Sequence, residues 1–233
     1  MVYVQEILDP VKTCVIIPTY NEAKAIAGLV KEIKRQNLDV LVVDDGSGDN
    51  TAQIAKDSGA IVLRNEINQG KGASLIKGFN YALNQDYDAV ITMDGDGQHL
   101  PEDIPYFIRL AAYSDGAIFI GNRMQRTKNI PLVRFLTNKF MSWLLSGIAR
   151  QKIPDTQCGF RLIKKEALKK VPLATSKYET ESEILIRGSR LGFKIESVPI
   201  KTIYMGEKSR INPFIDTLRF FRFLIRELWT TKY

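Results

Sequence analysis

Short apolar runs rich in β-branched residues alternate with helical patterns through the first half of the chain, and this alternation restricts the fold more than any other feature. After the first run, for example, Ile26, Leu29 and Ile33 recur at the spacing of one helical face. Strands that alternate with helices predict an α/β domain with a mostly parallel central sheet and right-handed crossovers. The predicted strands cover residues 11–18, 40–45, 61–63, 89–93 and 117–120.

The pattern changes beyond residue 123, where amphipathic helical stretches become prominent. None of them reaches the roughly 18 uncharged apolar residues of a membrane-spanning helix. Such stretches lie on a bilayer more easily than they cross it. The predicted elements are an amphipathic stretch at 130–149, an acidic helix around Glu179, Glu181 and Glu183, a strand at 194–200, and an amphipathic helix at 213–229.

The composition narrows the class of protein. Hydrophobic residues make up 45% and charged residues 25% of the 233 residues, values that are ordinary for a globular domain and exclude disordered and fibrous chains. The net charge of +7 favours an anionic partner, which leaves nucleic acid, acidic lipid headgroups and phosphorylated small molecules open. Because the chain has two cysteines and no leader pattern at its N-terminus, we expect a reduced protein that faces the cytosol.

Polar motifs stand directly after four of the predicted strands. They occupy residues 18–22, 44–45, 94–96 and 121–123. In open parallel sheets, ligands bind beyond the carboxyl ends of the strands. The sequence therefore predicts that the four motifs contribute to one binding site.

The fourth predicted strand ends in Asp94-Gly95-Asp96-Gly97-Gln98. Carboxylate and amide oxygens are hard ligands that suit Mg²⁺ or Mn²⁺, and substrate phosphates usually complete the shell of such an ion. A polar turn is the alternative, and it would be the better interpretation of an isolated Asp-X-Asp sequence. Because comparable motifs follow the other strands, we favour a metal and diphosphate site at Asp94, Asp96 and Gln98.

Two further motifs indicate contacts with a nucleotide. Asp44 and Asp45 end a buried strand and could accept hydrogen bonds from a base or ribose, while Tyr20 could stack on the base and Glu22 could accept another donor. These residues could equally form a turn and a helix cap, and the two roles can coexist. Lys71 stands between two glycines without the spacing of a Walker loop, so it is either a phosphate ligand or a solvated lysine in a turn.

In this order, the motifs resemble those of glycosyltransferase family 2, and in particular the group of dolichyl-phosphate and polyprenyl-phosphate mannosyl- and glucosyltransferases. The resemblance continues through residues 157–161 to 207–210 and covers nearly the whole chain. It implies a single Rossmann-like domain of the GT-A type, with amphipathic interfacial helices in the C-terminal half. The implied bounds are 1–212 for the domain, divided into a nucleotide-sugar-binding half at 11–123 and an acceptor-binding half at 124–212, and 213–233 for a C-terminal amphipathic helix.

The resemblance also implies roles for individual residues. Asp96 and Arg123 would be catalytic, and Mg²⁺ or Mn²⁺ would bind at Asp94, Asp96 and Gln98. Thr137 stands where a serine is often found near the acceptor phosphate. The nucleotide-sugar would contact Pro18, Tyr20, Glu22, Asp44, Asp45, Lys71, Asp94 and Gly95, and the acceptor phosphate would contact Arg123, Arg134, Thr137, Lys208 and Arg210.

A polyprenyl phosphate acceptor agrees with the residue types present. Sugar transfer to a hydroxyl usually needs a general base, whereas a phosphate monoester is already an anionic nucleophile at neutral pH, and His99 is the only histidine. Apolar faces along 132–144 and the C-terminal stretch suit a membrane interface; packing on the sheet is the alternative. We expect inverting transfer of a hexose from GDP-mannose or UDP-glucose to a polyprenyl or dolichyl phosphate, by a protein peripherally bound to the cytosolic face of a membrane.

Three other functions stay open at this point. The chain could glycosylate a hydroxyl acceptor such as a polysaccharide. It could be a nucleotidyltransferase, although that class usually carries a glycine-rich basic signature where this chain has residues 18–22. It could be a basic membrane-binding scaffold without activity; nucleic acid is disfavoured, because strand-end carboxylates would repel its phosphates. A separate membrane subunit or a homo-oligomer also stays open.

Overall fold

Strands and helices alternate along the chain in the computed structural model. It describes residues 11–124, 132–201 and 213–230, and the side chains at 132–134, 213–217 and 230 lie outside that description. The strands are β1 Thr13–Thr19, β2 Asp39–Asp44, β3 Ile61–Arg64, β4 Ala89–Thr92, β5 Ile118–Asn122, β6 Arg161–Lys164 and β7 Ile195–Pro199. The helices are α1 Ile26–Lys34, α2 Thr51–Asp57, α3 Lys71–Leu83, α4 Ile104–Tyr113, α5 Leu132–Ala149, α6 Lys165–Lys170, α7 Glu179–Arg190 and α8 Pro213–Thr230.

The strands form one sheet in the order β3-β2-β1-β4-β6-β5-β7. β1 pairs in parallel with β2 and β4, β2 with β3, and β5 with β7. β6 alone among these strands runs antiparallel, between β4 and β5. The prediction of a single α/β domain with a mostly parallel sheet is therefore confirmed.

Helices cover both faces of the sheet. The crossovers through α1 and α2 move towards β3, whereas the crossover through α3 returns to β4, so right-handed connections put α3 on the opposite face. In agreement, α1 contacts α2, while α3 contacts α6 and α7. A Cβ on Gly78 of α3 would lie 2.6 Å from Cγ2 of Ile16, so the glycine allows α3 to lie directly on β1.

The buried apolar side chains of the described residues form two separate cores. The main core consists of the buried strands and the helix faces that pack on them. A second, smaller core lies between α5, α7 and α8, and its buried members are Leu145, Ile186, Phe223 and Leu224. Helices α5, α7 and α8 thus form a cluster of their own beside the sheet.

The sequence predictions missed β6 and α6. β6 has four residues and begins with Arg161 and ends with Lys164, so it shows neither a long apolar run nor alternation. α6 has six residues, three of them lysines, and is too short to display a helical period. The predicted strands elsewhere differ from the observed ones by one or two residues at their ends.

Candidate active site

The carboxyl ends of β1, β2, β4 and β5 lie at one edge of the sheet, as the strand-end motifs predict. β6 runs the opposite way, so its first residue, Arg161, lies at this edge, in register with Thr92 of β4 and Ile120 of β5. The segment 155–160 that leads into β6 therefore enters the same site. The other site motifs follow their strands, whereas this segment precedes β6. It reaches the same site because β6 runs antiparallel to its neighbours.

The loops after β1 and β2 are hydrogen-bonded to each other. The amide of Asn21 donates to Oγ of Ser47, and the amide of Gly48 donates to Oδ1 of Asn21, both at 2.9 Å. The amide of Glu22 donates to Oγ1 of Thr51 at 2.8 Å. Asn21 has a φ of 54°, a left-handed conformation that asparagine tolerates better than most residues. These bonds hold the two loops as one unit.

Pro18 and Tyr20 flank the end of β1 in this unit. Pro18 is buried within the strand, whereas the ring of Tyr20 is 38% exposed beside the loop. Aromatic rings such as that of Tyr20 can stack on planar groups, and the contacts of both residues with a nucleotide stay a prediction.

Asp44 is fully buried at the end of β2. Its carboxylate accepts hydrogen bonds from the hydroxyl and the amide of Ser47, and Nε of Arg64 lies 3.2 Å from its Oδ2. Arg64 also donates to the carbonyl of Ser47 at 2.8 Å, while its side chain is 58% exposed. The partly exposed Arg64, which sequence reasoning missed, thus contacts both the buried Asp44 and the loop that follows it.

Asp45 fastens the loop that follows β3. Its Oδ1 accepts hydrogen bonds from Nδ2 of Asn65 at 2.8 Å and from the amide of Gln69 at 2.9 Å, and its Oδ2 accepts one from the amide of Gly70 at 2.7 Å. The structure thus gives Asp45 a role in holding the backbone next to Lys71. A contact with the nucleotide-sugar stays a prediction.

Lys71 is held between two carboxylates. Its Nζ lies 2.5 Å from Oδ1 of Asp94 and 3.0 Å from Oε2 of Glu181. Burial would lower the pKa of Lys71, but the two carboxylates outweigh burial and raise it above its ordinary value. Burial would raise the pKa of Asp94, and chiefly the charge of Lys71 holds it well below its usual range. Lys71 and Asp94 are therefore both charged at neutral pH.

The start of α3 directs Lys71 towards this pair. Gly70 has a φ of +105°, and a Cβ on Gly72 would lie 2.5 Å from the carbonyl oxygen of Lys177. The amide of Ala73 donates to the carbonyl of Ser176 at 2.9 Å. The segment 176–180 therefore packs directly on the first turn of α3, and neither glycine can be replaced without moving it.

Asp96 and Gln98 lie in the turn after β4. The amide of Gln98 donates to Oδ1 of Asp96 at 2.9 Å. A Cβ on Gly95 would lie 2.8 Å from Cγ2 of Thr19 and 3.4 Å from Cγ of Glu22. Gly95 therefore allows the acidic turn to lie against the end of β1, next to the loops that hold Tyr20 and Glu22.

The acidic turn fits a cation that arrives with a diphosphate. Within residues 11–124, 132–201 and 213–230, no group of three histidine, cysteine, aspartate or glutamate side chains could hold a metal, and Asp94 is already paired with Lys71. Mg²⁺ is commonly bound by one or two carboxylates together with substrate phosphates and water. Asp96, with Asp94 and Gln98 beside it, meets that requirement without forming a complete protein site.

His99 is enclosed behind the acidic turn. Its Nδ1 accepts the amide of Asp94 at 3.4 Å, its Nε2 lies 3.9 Å from Sγ of Cys158, and its ring packs against Phe160. Burial lowers the pKa of His99 to about 4, against the attraction of Asp94. At neutral pH His99 is thus an uncharged, buried side chain, and its Nδ1 already accepts a hydrogen bond from the backbone.

Arg123, at the end of β5, is oriented by a buried aspartate. Its Nε lies 2.7 Å from Oδ2 of Asp155, and its Nη2 donates to Oδ1 at 2.9 Å. Asp155 is fully buried, and the side chain of Arg123 is 14% exposed. Sequence reasoning missed this partner, which lies 32 residues away along the chain. The binding of an acceptor phosphate by Arg123 stays a prediction.

Arg161 joins the segment before β6 to α7. It is 1% exposed and donates to the carbonyls of Cys158 at 2.8 Å and Thr156 at 3.0 Å, and to the carbonyl of Glu181. A buried guanidinium that binds three carbonyls fixes the backbone around the site. The motif at 157–161 contained Arg161, but nothing in the motif indicates this role.

The other predicted acceptor residues lie on α5 or outside the described residues. Thr137 is exposed on α5, and the backbone of Arg134 belongs to the same helix, while its side chain lies outside the description. Lys208 and Arg210 both lie outside the described residues. The roles of these four residues stay predictions.

Comparison with known proteins relates the site to a family. The model of glycosyl transferase family 2 matches residues 14–172. The chain is 34% identical, over 212 residues, to the UDP-N-acetylglucosamine–dolichyl-phosphate N-acetylglucosaminyltransferase of Methanococcus voltae, covering 81% of this chain and 84% of that protein. It is 32% identical to the undecaprenyl-phosphate mannosyltransferase of Micrococcus luteus, covering 79% of this chain and 81% of that protein.

Solved structures share the fold. The glucosyl-3-phosphoglycerate synthase of Mycobacterium tuberculosis, solved in complex with Mg²⁺ and uridine diphosphate, superposes with a TM-score of 0.71 at 22% identity. The superposition covers 94% of this chain and 78% of that chain. At this identity the similarity shows a common fold.

Proposed function

The chain belongs to glycosyltransferase family 2 and is a glycosyltransferase, and we propose that it transfers a sugar, with inversion, from a nucleotide-sugar to a polyprenyl phosphate at a membrane surface. The observation that carries this proposal is the set of exposed apolar side chains on α5 and α8, on the same chain as a site at the carboxyl ends of the strands that contains Lys71 and Arg123. Family membership removes the nucleotidyltransferase and the inactive scaffold from the alternatives.

The donor side of the proposal rests on the acidic turn and Lys71. The diphosphate of the donor would lie at Asp96 and Lys71, with its nucleoside towards Asp44, Arg64 and Tyr20. When bound, Mg²⁺ or Mn²⁺ would neutralise negative charge on the departing diphosphate. GDP-mannose and UDP-glucose are the donors we propose, and the name of the Methanococcus relative adds UDP-N-acetylglucosamine to the donors worth testing.

The acceptor side needs cations and no base. A phosphate monoester has a second pKa of about 6 and is therefore an anion at neutral pH. One of its oxygens would bond to the anomeric carbon on the face opposite the diphosphate, and the electron pair of the broken bond would leave with the nucleoside diphosphate. Arg123, held by Asp155, would orient the acceptor phosphate. The neutral, enclosed His99 agrees with a reaction that removes no proton from the acceptor.

Helix α5 buries both polar and apolar side chains, and it exposes aromatic ones. Asn138 and Ser142 are buried, and Ser142 accepts a hydrogen bond from the amide of Thr156 at 3.0 Å. On the opposite side, Phe140 is 53% and Trp143 is 71% exposed. Leu145 and Ala149 of the same helix are buried as well, so α5 packs on the molecule through one face. The aromatic side chains on its other face suit an interfacial helix whose apolar side chains enter the acyl boundary.

Helix α8, which shares a buried cluster with α5, also exposes apolar side chains. It docks through Phe223 and Leu224, with Phe220 packed against the same cluster. Five other apolar side chains of α8 are about half exposed or more: Leu218, Phe221, Ile225, Leu228 and Trp229. None of the described helices is long and apolar enough to cross a membrane. We therefore propose peripheral binding through what we call the α5–α8 apolar surface, which consists of Leu136, Phe140, Trp143, Leu218, Phe221, Ile225, Leu228 and Trp229.

A transfer assay with paired acceptors tests the function. Purified protein is incubated with Mn²⁺ or Mg²⁺, a panel of nucleotide-sugars, and either a polyprenyl phosphate or the corresponding polyprenol in detergent. We expect a glycolipid and a nucleoside diphosphate with the phosphate acceptor alone, and no product in the presence of excess chelator. A product with polyprenol and none with its phosphate would favour the hydroxyl-acceptor alternative. No product with any donor would contradict the proposed function.

A further inference from the structure

Two carboxylates outside the candidate active site are buried in the cluster of α5, α7 and α8. Glu183 of α7 is fully buried, and Glu227 of α8 is 1% exposed. Arg187 connects them, because its Nη1 lies 2.8 Å from Oε1 of Glu183 and its Nη2 lies 2.7 Å from Oε1 of Glu227. Arg190 of α7 binds the other oxygen of Glu227 at 2.7 Å and its carbonyl at 2.9 Å. Helix α8 is thus seated on α7 by charged groups as well as by Phe223 and Leu224.

Glu183 also holds the loop that precedes α7. Its carboxylate accepts the amides of Ala174 at 3.1 Å and Thr175 at 3.0 Å, and the hydroxyl of Thr175 at 2.6 Å. Arg187 donates to the carbonyl of Pro172 at 2.8 Å in the same loop. The conformation of residues 172–175 therefore depends on a carboxylate and a guanidinium that face α8 on their other side.

The same loop determines where Lys71 points. The hydroxyls of Thr175 and Thr180 are 2.8 Å apart, and the following residues 176–180 pack on the glycines that flank Lys71. Glu181, which binds Nζ of Lys71, lies in the first turn of α7, two residues before Glu183. A continuous series of contacts thus runs from Glu227 on α8 to Lys71 and Asp94.

We propose that the seating of α8 sets the position of Lys71 and Glu181, with Glu183 and Glu227 as positioning residues for the active site. Buried ion networks favour a single arrangement, because removing one partner leaves the others desolvated and without compensation. A shift of α8 would therefore change the loop before α7 and, through it, the lysine beside Asp94. Helix α8 also carries five of the eight residues of the α5–α8 apolar surface. A link between this coupling and the membrane rests on the proposed function, whereas the coupling itself rests on the contacts alone.

Glu227→Gln tests the coupling on a soluble acceptor. The acceptor is a polyprenyl phosphate of two isoprene units, supplied without membranes, so that loss of membrane binding cannot change the rate. We expect kcat to fall roughly tenfold, within the range that coupling residues produce, with the KM for the acceptor nearly unchanged. The control is Glu166→Gln, which removes the same charge from an exposed position of α6 and should match the unaltered chain.

Hydrogen exchange provides a readout that does not depend on activity. In Glu227→Gln, the amides of Ala73, Ala174 and Thr175 should lose protection together with those of α8, whereas Glu166→Gln should retain it. If Glu227→Gln does not fold, Arg190→Gln removes a single partner of Glu227 and should produce the same changes on a smaller scale. Unchanged protection at these three amides, with kcat within twofold of the unaltered chain, would overturn the inference. If the unaltered chain transfers no sugar, the proposed function fails, and the exchange experiment alone decides the coupling.

Discussion

Two pairs of aspartates end strands of the sheet, and they are held in different ways. Asp44 and Asp45, after β2, accept hydrogen bonds mainly from neutral side-chain and backbone groups of nearby loops, and Arg64 forms an ion pair with Asp44. Asp94, after β4, is paired with the ammonium of Lys71, and Asp96 lies partly buried in the turn next to it. The difference indicates that Asp44 and Asp45 hold the loops in place, whereas Asp94 and Asp96 interact with charged groups.

The largest effect is expected from removing Lys71, whose ammonium group is paired with Asp94. Lys71→Ala would leave Asp94 and Glu181 facing each other without compensation and would remove positive charge next to the departing diphosphate. We expect kcat to fall by about a hundredfold or more, as for other preorganised electrostatic groups. The control is Lys31→Ala, since Lys31 is an exposed lysine on α1. Nearly full activity of Lys71→Ala would contradict the view that the second pair of aspartates differs from the first by its interaction with charged groups.

The first pair should show its effect in stability. Asp45→Ala leaves the donors of Asn65, Gln69 and Gly70 without their acceptor, and we expect a loss of about 3 kcal/mol. For a chain of this size the unfolding temperature would fall by about 6–12 °C, which calorimetry measures. Asp86→Ala, at a 93% exposed carboxylate, is the control. An unchanged unfolding temperature for Asp45→Ala would contradict a structural role of the first pair.

Lowering the pH should reduce the stability of the protein through His99, which is buried behind the acidic turn that contains Asp94 and Asp96. The folded pKa of His99 is about 4, below its ordinary value of 6.5, so the unfolded chain binds a proton first as the pH falls. Stability is therefore complete above about pH 6.5 and declines towards pH 4, by about 3 kcal/mol in total. Urea unfolding at pH 7 and pH 4.5 in metal-free buffer measures this decline. The decline should be smaller in His99→Gln, and an equal decline in both chains would contradict the assignment.

The smallest effect is expected from a substitution that lies away from both pairs of aspartates. Trp143 is 71% exposed on α5, and Trp143→Ser removes part of the α5–α8 apolar surface. We expect binding to vesicles of anionic lipid to weaken about tenfold, as for an apolar side chain worth about 1.5 kcal/mol, with kcat on a soluble acceptor unchanged. Vesicle flotation measures the binding. Unchanged vesicle binding by this variant would contradict the proposal that the α5–α8 apolar surface binds the membrane.

The parallel part of the sheet could be predicted from the sequence, because buried strands leave a direct signal in their β-branched runs. The predicted strand-end motifs do lie at one edge, since parallel strands bring their carboxyl ends together. β6 was not predictable from four residues with charged ends. Its antiparallel direction is what brings Asp155 and Arg161 to the site.

Partners that are distant along the chain were the other part that could not be predicted. Lys71 reaches Asp94 and Glu181, and Arg123 reaches Asp155, only because the strands and α7 bring them together. Amphipathicity of α5 was evident from the sequence, but a helical period does not tell which face is buried. The structure shows that the polar residues Asn138 and Ser142 face inwards.

The central claim is that the acidic turn after β4 handles the donor diphosphate, and Asp96→Ala tests it most directly. Turnover with the preferred nucleotide-sugar, Mn²⁺-dependent binding of the nucleoside diphosphate by calorimetry, and the unfolding temperature are measured on the same protein. We predict a loss of turnover of about a hundredfold or more, loss of the Mn²⁺-dependent part of nucleotide binding, and an unfolding temperature within about 2 °C of the unaltered chain. Full turnover with unchanged Mn²⁺-dependent binding would contradict the claim.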